Sequence, residues 1–477
     1  MNCAEINYIG VRKVRTMNSL RKISNSAHPK SKNKINKLFY YGVMLIAGIL
    51  RIVITNYRGP IMVVLGGYDD FLMLQYSDFS KHFSQETPLT LLKYLGFPWF
   101  ENLPNLLNIS FNTVIGITWI LAALSVWFVI KKVSNKRLAI LAYLFVLFTP
   151  QGFDFTTGVR LYRNLIIAPS FYILFSLMVL LILSFWTYPG KKRSKTIQIE
   201  ILIEGILLSL VFPFVFFIKE DSFWMKPLLY LFIAAEIAGL LFIQRRWIMK
   251  NKTRILIPVI VILMPVLVFE FQSDRYLDAN EKAFNYREYT LRTNGEVAGF
   301  INRVYKIASD NRTFQIWAPK DALEKAVTAS PTLNADEQMK DLILHSHWTN
   351  GGENEIRGDF LSWVMMSAFE RSEQYNTAEK FNAYFKTVNE ELDQAFKNGS
   401  LQKDDRIQIT ASAGGRSFDE LGRLFPPLFA FYNSLITLQG YNSDSDLPVT
   451  NSEEIAPYRF WLGQDIVYPE TAPGRIL

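Results

Sequence analysis

Two adjacent carboxylates, Asp69 and Asp70, stand in the sequence GGYDDFL, a short distance after the first long hydrophobic segment. Neighbouring carboxylates can take a proton from a reacting hydroxyl group or hold a divalent metal ion. A solvated turn is the commoner explanation of an isolated pair of aspartates. Because two neighbours on a turn point in different directions, the sequence does not say which faces inward. We favour Asp70 as a catalytic base, with Asp69 as the alternative, and both as ligands if a metal is bound.

Six other charged residues lie in short polar segments beside predicted membrane spans, and we predict that they bind a substrate: Lys93, Arg160, Arg163, Lys219, Glu220 and Asp221. Guanidinium and ammonium groups suit an anion, and carboxylates can orient a hydroxyl group, a cation or the basic side chains themselves. Charges at a bilayer edge are often only anchors. Their occurrence in several segments on one face of the membrane favours a shared polar cavity.

Seven long apolar runs predict membrane-spanning helices in the first part of the chain. They lie at about 38–57, 111–130, 138–149, 165–188, 199–218, 227–243 and 255–271. The third run is short and stops at Pro150, so it could tilt or end inside the protein. We therefore expect a multispanning α-helical membrane protein with about seven transmembrane helices.

Basic residues orient these helices. Clusters of lysine and arginine occur in the N-terminal tail and at 131–137, 191–195 and 245–254. They fall at every second boundary between spans, as expected for loops that face the cytoplasm. The sequence thus predicts a multi-pass protein of the cell membrane with a cytoplasmic N-terminus, an extracytoplasmic C-terminal part and candidate residues on the outer face.

The net charge of +8 is unevenly distributed between the two parts of the chain. Residues 1–270 carry 30 basic and 13 acidic residues, whereas residues 271–477 carry 21 basic and 30 acidic residues. The basic excess therefore reflects membrane topology and a tail that touches anionic lipid headgroups, and we expect no nucleic-acid partner. The single cysteine, Cys3, lies in that tail, so the outer part must fold without disulfides.

Three parts of the chain are predicted: a basic cytoplasmic tail at 1–37, a transmembrane domain at 38–271 with a long first outer loop at 58–108, and a mainly α-helical extracytoplasmic domain at 272–477. Two stretches of that loop, 71–83 and 89–100, either lie in the interface plane as short helices or cap the bundle. In the C-terminal domain we expect a strand at 312–317 and helices at 281–308, 322–327, 337–345, 359–369, 377–398 and 418–439.

The order of the outer-face motifs resembles a bacterial family of membrane glycosyltransferases with the GT-C architecture. The shared elements are the acidic pair of loop one, KYLGFP from residue 93, RLYR from residue 160 and KEDSFW from residue 219. The C-terminal part is similar to the outer domain of the same group in IWAPKDALEKAVTASPT, GDFLSWVMMSAFE and TAEKFNAYFKTVNEELDQAFKNG. The similarity covers most of the chain from about residue 60.

This resemblance implies a GT-C-like transmembrane domain and an enzyme that transfers a sugar from a polyprenyl-phosphate donor to a glycan or lipid acceptor of the cell envelope. An aspartate of loop one would be the base or a metal contact, and the cofactor, if there is one, would be a divalent cation. The rival hypothesis is a non-catalytic scaffold or glycan-binding component of cell-wall polysaccharide assembly. A transporter is disfavoured, because the hydropathy shows no inverted repeat and no pair of broken segments.

Overall fold

The computed structural model of the chain describes residues 30–58, 67–77, 94–154, 157–158, 160–187, 195–243, 256–408, 413–437 and 462–463. The first part of the described chain is a helical bundle. Its helices are α1 (Lys30–Arg58), α2 (Gly67–Ser77), α3 (Gly96–Glu101), α4 (Leu103–Leu107), α5 (Phe111–Val133), α6 (Lys136–Leu147), α7 (Asn164–Thr187), α8 (Lys195–Phe216), α9 (Met225–Ala238) and α10 (Leu256–Phe284).

Among the described residues, five helices are long and apolar enough to cross a membrane: Leu38–Tyr57, Phe111–Val133, Asn164–Trp186, Gln198–Phe216 and Ser222–Phe242. Each matches one of the predicted runs, so the expectation of a helical membrane protein is confirmed in this form. The last of them joins a 3₁₀ turn, α9 and a π-helical turn, Gly239–Ile243. The count of seven spans stays a prediction.

The other two predicted runs have different structural forms. The third is α6, which has 12 residues and is therefore only about 18 Å long. It ends because Pro150 opens a 3₁₀ turn, Pro150–Gly152. The seventh lies within α10, which has 29 residues and Pro265 in its interior. Since α10 continues to Phe284, the predicted domain boundary at 271 and 272 falls inside one helix.

Local sequence fixes where the membrane helices begin. Ser110 caps α5 by accepting a hydrogen bond from the Thr113 amide at 3.3 Å, and Asn135 caps α6 by accepting one from the Leu138 amide at 3.0 Å. Lys131 and Lys132 occupy the last turn of α5, where positive charge complements the helix dipole. Successive helices of the bundle run antiparallel. One end of the bundle therefore holds the starts of α5, α7 and α9 and the ends of α6 and α8. It is called here the cavity end, after the polar cavity described in the next subsection.

Loop one packs into the bundle in its described part. Leu72, Met73, Leu74 and Tyr76 of α2 are all buried, as is Phe97 of α3. These positions favour the prediction that the loop caps the bundle over the prediction that it lies in the interface plane. Helix α2 also contains Asp69 and Asp70, whose side chains are not among those that the structure describes.

The second part of the described chain is mainly helical, as its sequence predicts. Its elements are α11 (Gly295–Val304), β1 (Ile316–Ala318), α12 (Lys320–Ala329), α13 (Pro331–Ala335), α14 (Glu337–Leu344), β2 (Ile356–Arg357), α15 (Phe360–Arg371), α16 (Ala378–Asn398), α17 (Phe418–Arg423) and α18 (Phe425–Ile436). The two short strands pair antiparallel, with Ile316 opposite Arg357.

Two hydrophobic cores hold the molecule together. One extends through the bundle as far as Tyr289, and the other begins at Leu291 and continues to Leu401. The chain between α10 and α11 joins them, and Trp363 of α15 packs against the bundle core. The second part of the chain, from Leu291 onward, lies against the cavity end of the bundle. It is called here the outer domain after its predicted side of the membrane, which stays a prediction.

Candidate functional site: a polar cavity at the end of the bundle

A cavity of about 430 Å³ lies where the bundle meets the outer domain. The bundle contributes residues from two connections, the one before α7 and the one between α8 and α9. The outer domain contributes residues from the α10–α11 connection, from α11 and from α15. The charged residues that line the cavity are Arg163, Lys219, Glu220, Asp221, Arg292 and Asp359.

The innermost of these charges form a buried ion pair. Arg163 is 2% exposed and Glu220 is 7% exposed, and the guanidinium group donates to the Glu220 carboxylate. The other carboxylate oxygen of Glu220 accepts a hydrogen bond from the Tyr94 amide at 3.1 Å. Arg163 also donates to the Tyr162 hydroxyl. The pair thus joins three segments that are far apart in the sequence.

Two further ion pairs complete the charged lining. Lys219 and Asp221 are 2.9 Å apart, with 34% and 55% of their side chains exposed. In the outer domain Arg292 donates to Asp359, and its guanidinium group lies 5.1 Å from the centre of the Trp363 ring. Each of the three basic residues in the lining therefore has a carboxylate partner. A ligand with hydroxyl or phosphate oxygens would bind by sharing or exchanging these partners.

The KYLGFP segment lies directly beside the KEDSFW segment. The Gly96 amide donates to the Phe217 carbonyl at 2.8 Å, and a Cβ atom at Gly96 would come within 2.6 Å of that oxygen. Glycine is therefore required here because the two backbones touch. Lys93 lies outside the described residues, but Tyr94, the next residue in the chain, is the one bound to Glu220.

Aromatic rings of the bundle core pack close to the buried ion pair. The Tyr94 ring makes edge-to-face contacts with the rings of Tyr276 and Tyr289, with centroids 5.6 and 6.1 Å apart. Burial, followed by the neighbouring Tyr276 and Glu220, raises the pKa of Tyr94 well above its ordinary value, so its hydroxyl stays neutral. Lys226 of α9 donates to the Tyr289 hydroxyl at 3.1 Å and lies 5.4 Å from the Phe223 ring centre.

Arg160 and Arg163 share one aromatic ring. Each guanidinium carbon lies 4.8 Å from the centre of the Tyr162 ring. The sequence left open whether the two arginines share a helix face or point apart on an extended segment. The segment is a turn, because α7 begins only at Asn164, and the two side chains nevertheless meet at Tyr162. Arg163 lines the cavity, and Arg160 lies beside it through this ring.

An apolar groove of about 580 Å³ lies along the bundle. It is lined by α5 and α7, including Val126, Ile167, Phe171 and Val179. From Ile167 to Val179 the wall formed by α7 is roughly 18 Å long at the usual helical rise. The Phe171 ring contacts Trp224 of the cavity lining, with centroids 5.7 Å apart, so cavity and groove adjoin.

Four of the eight residues predicted for the site therefore line one cavity: Arg163, Lys219, Glu220 and Asp221. Arg160 lies next to them. The structure does not describe Lys93 or the side chains of Asp69 and Asp70. Within the part of the chain that is described, no group of three histidine, cysteine, aspartate or glutamate side chains is arranged to hold a metal ion. A metal contact by Asp69 or Asp70 stays a prediction.

Sequence reasoning missed two parts of this region. Arg292 and Asp359 are 67 positions apart and belong to no local pattern, so only the fold brings them together. Arg51, by contrast, stood inside a predicted span, where a charged residue marks a special role. It is fully buried and donates to the carbonyls of Leu147 at 3.1 Å and Gly152 at 3.0 Å. It thereby fixes the turn after α6.

Fold and site together define a class: a helical membrane protein with a polar, ion-paired cavity between its bundle and an outer domain. Comparison of the chain with protein-family models, curated proteins and solved structures gave no match. The chemistry of the site therefore has to be argued from its own residues.

Proposed function

We propose that the protein is a glycosyltransferase of the GT-C type, which moves a sugar from a polyprenyl-phosphate donor to a glycan or lipid acceptor of the cell envelope. The observation that carries this proposal is the contact between the Trp224 ring of the polar cavity and the Phe171 ring of the apolar groove, whose centroids are 5.7 Å apart. A lipid-linked sugar has two corresponding parts, a polar sugar phosphate and an apolar chain. The groove would take the chain and the cavity would take the head.

The lining of the cavity suits a sugar phosphate. Paired carboxylates and guanidinium groups offer acceptors and donors to hydroxyl groups, and Trp224 and Trp317 offer flat apolar faces to a sugar ring. Arg163 and Lys219 would stabilise the phosphate as it leaves. In the reaction, the acceptor oxygen bonds to the sugar C1 as the bond from C1 to the phosphate oxygen breaks. The acceptor proton passes to Asp70 or Asp69.

A second candidate function is a non-catalytic scaffold or glycan-binding component of polysaccharide assembly. One observation favours it: Arg163, Lys219 and Arg292 each have a carboxylate partner without any ligand. Such pairs are also what a purely structural junction would need. The two functions differ in whether these basic groups contact a donor phosphate.

Substitution of the arginines by lysine tests that contact. Arg160→Lys and Arg163→Lys should each raise the KM for a polyprenyl-phosphate sugar about tenfold or more, because lysine keeps the charge but loses the planar fork. The measurement is sugar transfer by the full chain in proteoliposomes. Arg287→Lys is the matched control, since Arg287 pairs with Asp274 and Asp278 outside the cavity lining. Unchanged KM values in both variants would exclude a contact of these arginines with the donor phosphate, and absence of transfer by the unsubstituted protein would favour the scaffold.

The proposal includes the orientation of the chain, with seven spans and the outer domain outside the cell. In a Cys3→Ser background, cysteines at Ser134 and Ser400, both exposed, should react from opposite sides of the membrane. A membrane-impermeant maleimide applied to intact cells should label position 400, and position 134 only after permeabilisation. Labelling of both positions from the same side would contradict this topology.

A further inference from the structure

Helix α18, Phe425–Ile436, has an unusual surface. Its sequence FPPLFAFYNSLI carries no charged residue, and its large side chains are exposed all round the helix. Phe425, Leu428, Phe429, Phe431, Tyr432 and Ile436 are each 57–71% exposed. A helix that is apolar on every side is normally buried in a core or in a membrane. This one finds no such burial among the described residues.

The chain before α18 is firmly attached to the outer domain. Ser417 and Glu420 form a capping box at the start of α17, and Arg406 pairs with Glu420 at 3.0 Å. Arg416 lies over Phe314, 4.5 Å from the ring centre. The apolar helix therefore extends from a fixed point, and the polar α17 lies between it and the hydrophobic core of the outer domain.

The position of α18 indicates what covers it. The helix contacts the turn Pro150–Gly152, which ends α6 at the cavity end of the bundle, and Tyr432 lies close to Tyr172 of the spanning helix α7. Leu106 and Leu107 of α4 are also exposed near this end, where α4 packs on α5. The apolar helix α18 thus lies beside the end of α6 and beside α7, one of the helices long and apolar enough to span a membrane.

We propose that α18 is an interfacial helix, which lies in the headgroup and upper acyl region of the bilayer beside the apolar groove. Its occupant is lipid, and the helix would hold the outer domain against the membrane surface above the cavity. Interfacial helices bury an apolar face roughly 5–10 Å into the boundary between headgroups and acyl chains, and α18 would lie at least this deep because it has no charged face. This inference rests on the membrane-spanning bundle and would hold for an enzyme and for a scaffold alike.

Depth-dependent fluorescence quenching tests the proposal. In the Cys3→Ser full chain, Phe429→Cys is labelled with the environment-sensitive dye NBD and reconstituted into phosphatidylcholine and phosphatidylglycerol vesicles. We expect blue-shifted emission that a lipid spin-labelled near the headgroup quenches more strongly than one labelled deep in the acyl chain. Asp419→Cys on α17 is the control, since its side chain is 73% exposed; it should emit as in water and be quenched by iodide.

Two outcomes would overturn the proposal. Iodide quenching at position 429 as strong as at position 419, without quenching by lipid, would place the helix in water. Self-quenching or disulfide formation at position 429 that disappears when the vesicles are diluted with excess lipid would mean that a second copy of the chain covers the helix. Because Phe429 is exposed, its replacement leaves the packed parts of the fold intact, and the folded state is checked by thermal unfolding.

Discussion

Replacement of Glu220 by glutamine is expected to destabilise the protein by on the order of 3–5 kcal/mol. The substitution keeps the size of the side chain and its acceptor for the Tyr94 amide but removes the charge beside Arg163. Arg163 is 2% exposed, so its guanidinium group would stay buried while losing the charged carboxylate that it contacts. Removing one member of a buried ion pair lowers the free energy of unfolding far more than replacing both members does. The free energy of unfolding is measured by denaturation with SDS in mixed micelles.

Asp221→Asn is the matched control, because it removes the same charge from the neighbouring residue. Lys219 and Asp221 are both substantially exposed, and such pairs contribute less than about 1 kcal/mol. The double variant Arg163→Gln/Glu220→Gln should recover much of the loss, since it leaves no buried charge. Equal destabilisation by Glu220→Gln and Asp221→Asn would show that burial of the pair does not govern its contribution.

The proximity of Arg163 to Lys219–Asp221 in one cavity could be predicted from sequence because the predicted topology constrains it strongly. The basic clusters predict which connections lie on the same side of the membrane. The segments RLYR and KEDSFW are both on the predicted outer side. From this it follows that Arg163 and Lys219–Asp221 lie near one another. The topology does not predict which of these residues form ion pairs with one another. The Arg163–Glu220 bond depends on how α7 and α8 pack, and no local pattern of the sequence contains that information.

The outer domain shows the same limit. Helical periodicity predicted stretches at 322–327, 337–345, 359–369 and 377–398, and a helix is present at each. The predicted helix 418–439 is instead divided into α17 and α18 at Leu424, because Pro426 and Pro427 fit only the first turn of a new helix. The large apolar side chains of α18 are exposed. Apolar periodicity in the sequence predicts that a helix forms, but it does not predict which part of the protein or solvent contacts that helix.

Loss of the acidic pair should have the largest effect on activity. If the protein transfers a sugar as proposed, Asp70→Asn or Asp69→Asn should lower kcat about 10²-fold or more and leave KM for the donor nearly unchanged. Asparagine keeps the shape of the side chain but takes no proton. Transfer is measured in proteoliposomes with a polyprenyl-phosphate sugar, and Asp341→Asn, an acid with a 73% exposed side chain, serves as control.

The same variants separate a base from a metal ligand. A lost base cannot be replaced by added metal, whereas a weakened metal site regains activity as the concentration of Mg²⁺ or Mn²⁺ is raised. We expect one of the two single variants to lose activity much more than the other, because adjacent helical residues in α2 point about 100° apart and only one can face the acceptor. Full activity of the Asp69→Asn/Asp70→Asn double variant would exclude both roles. The cavity would then bind its ligand without a contribution from loop one to the chemistry, and the acidic pair would be a surface feature of α2.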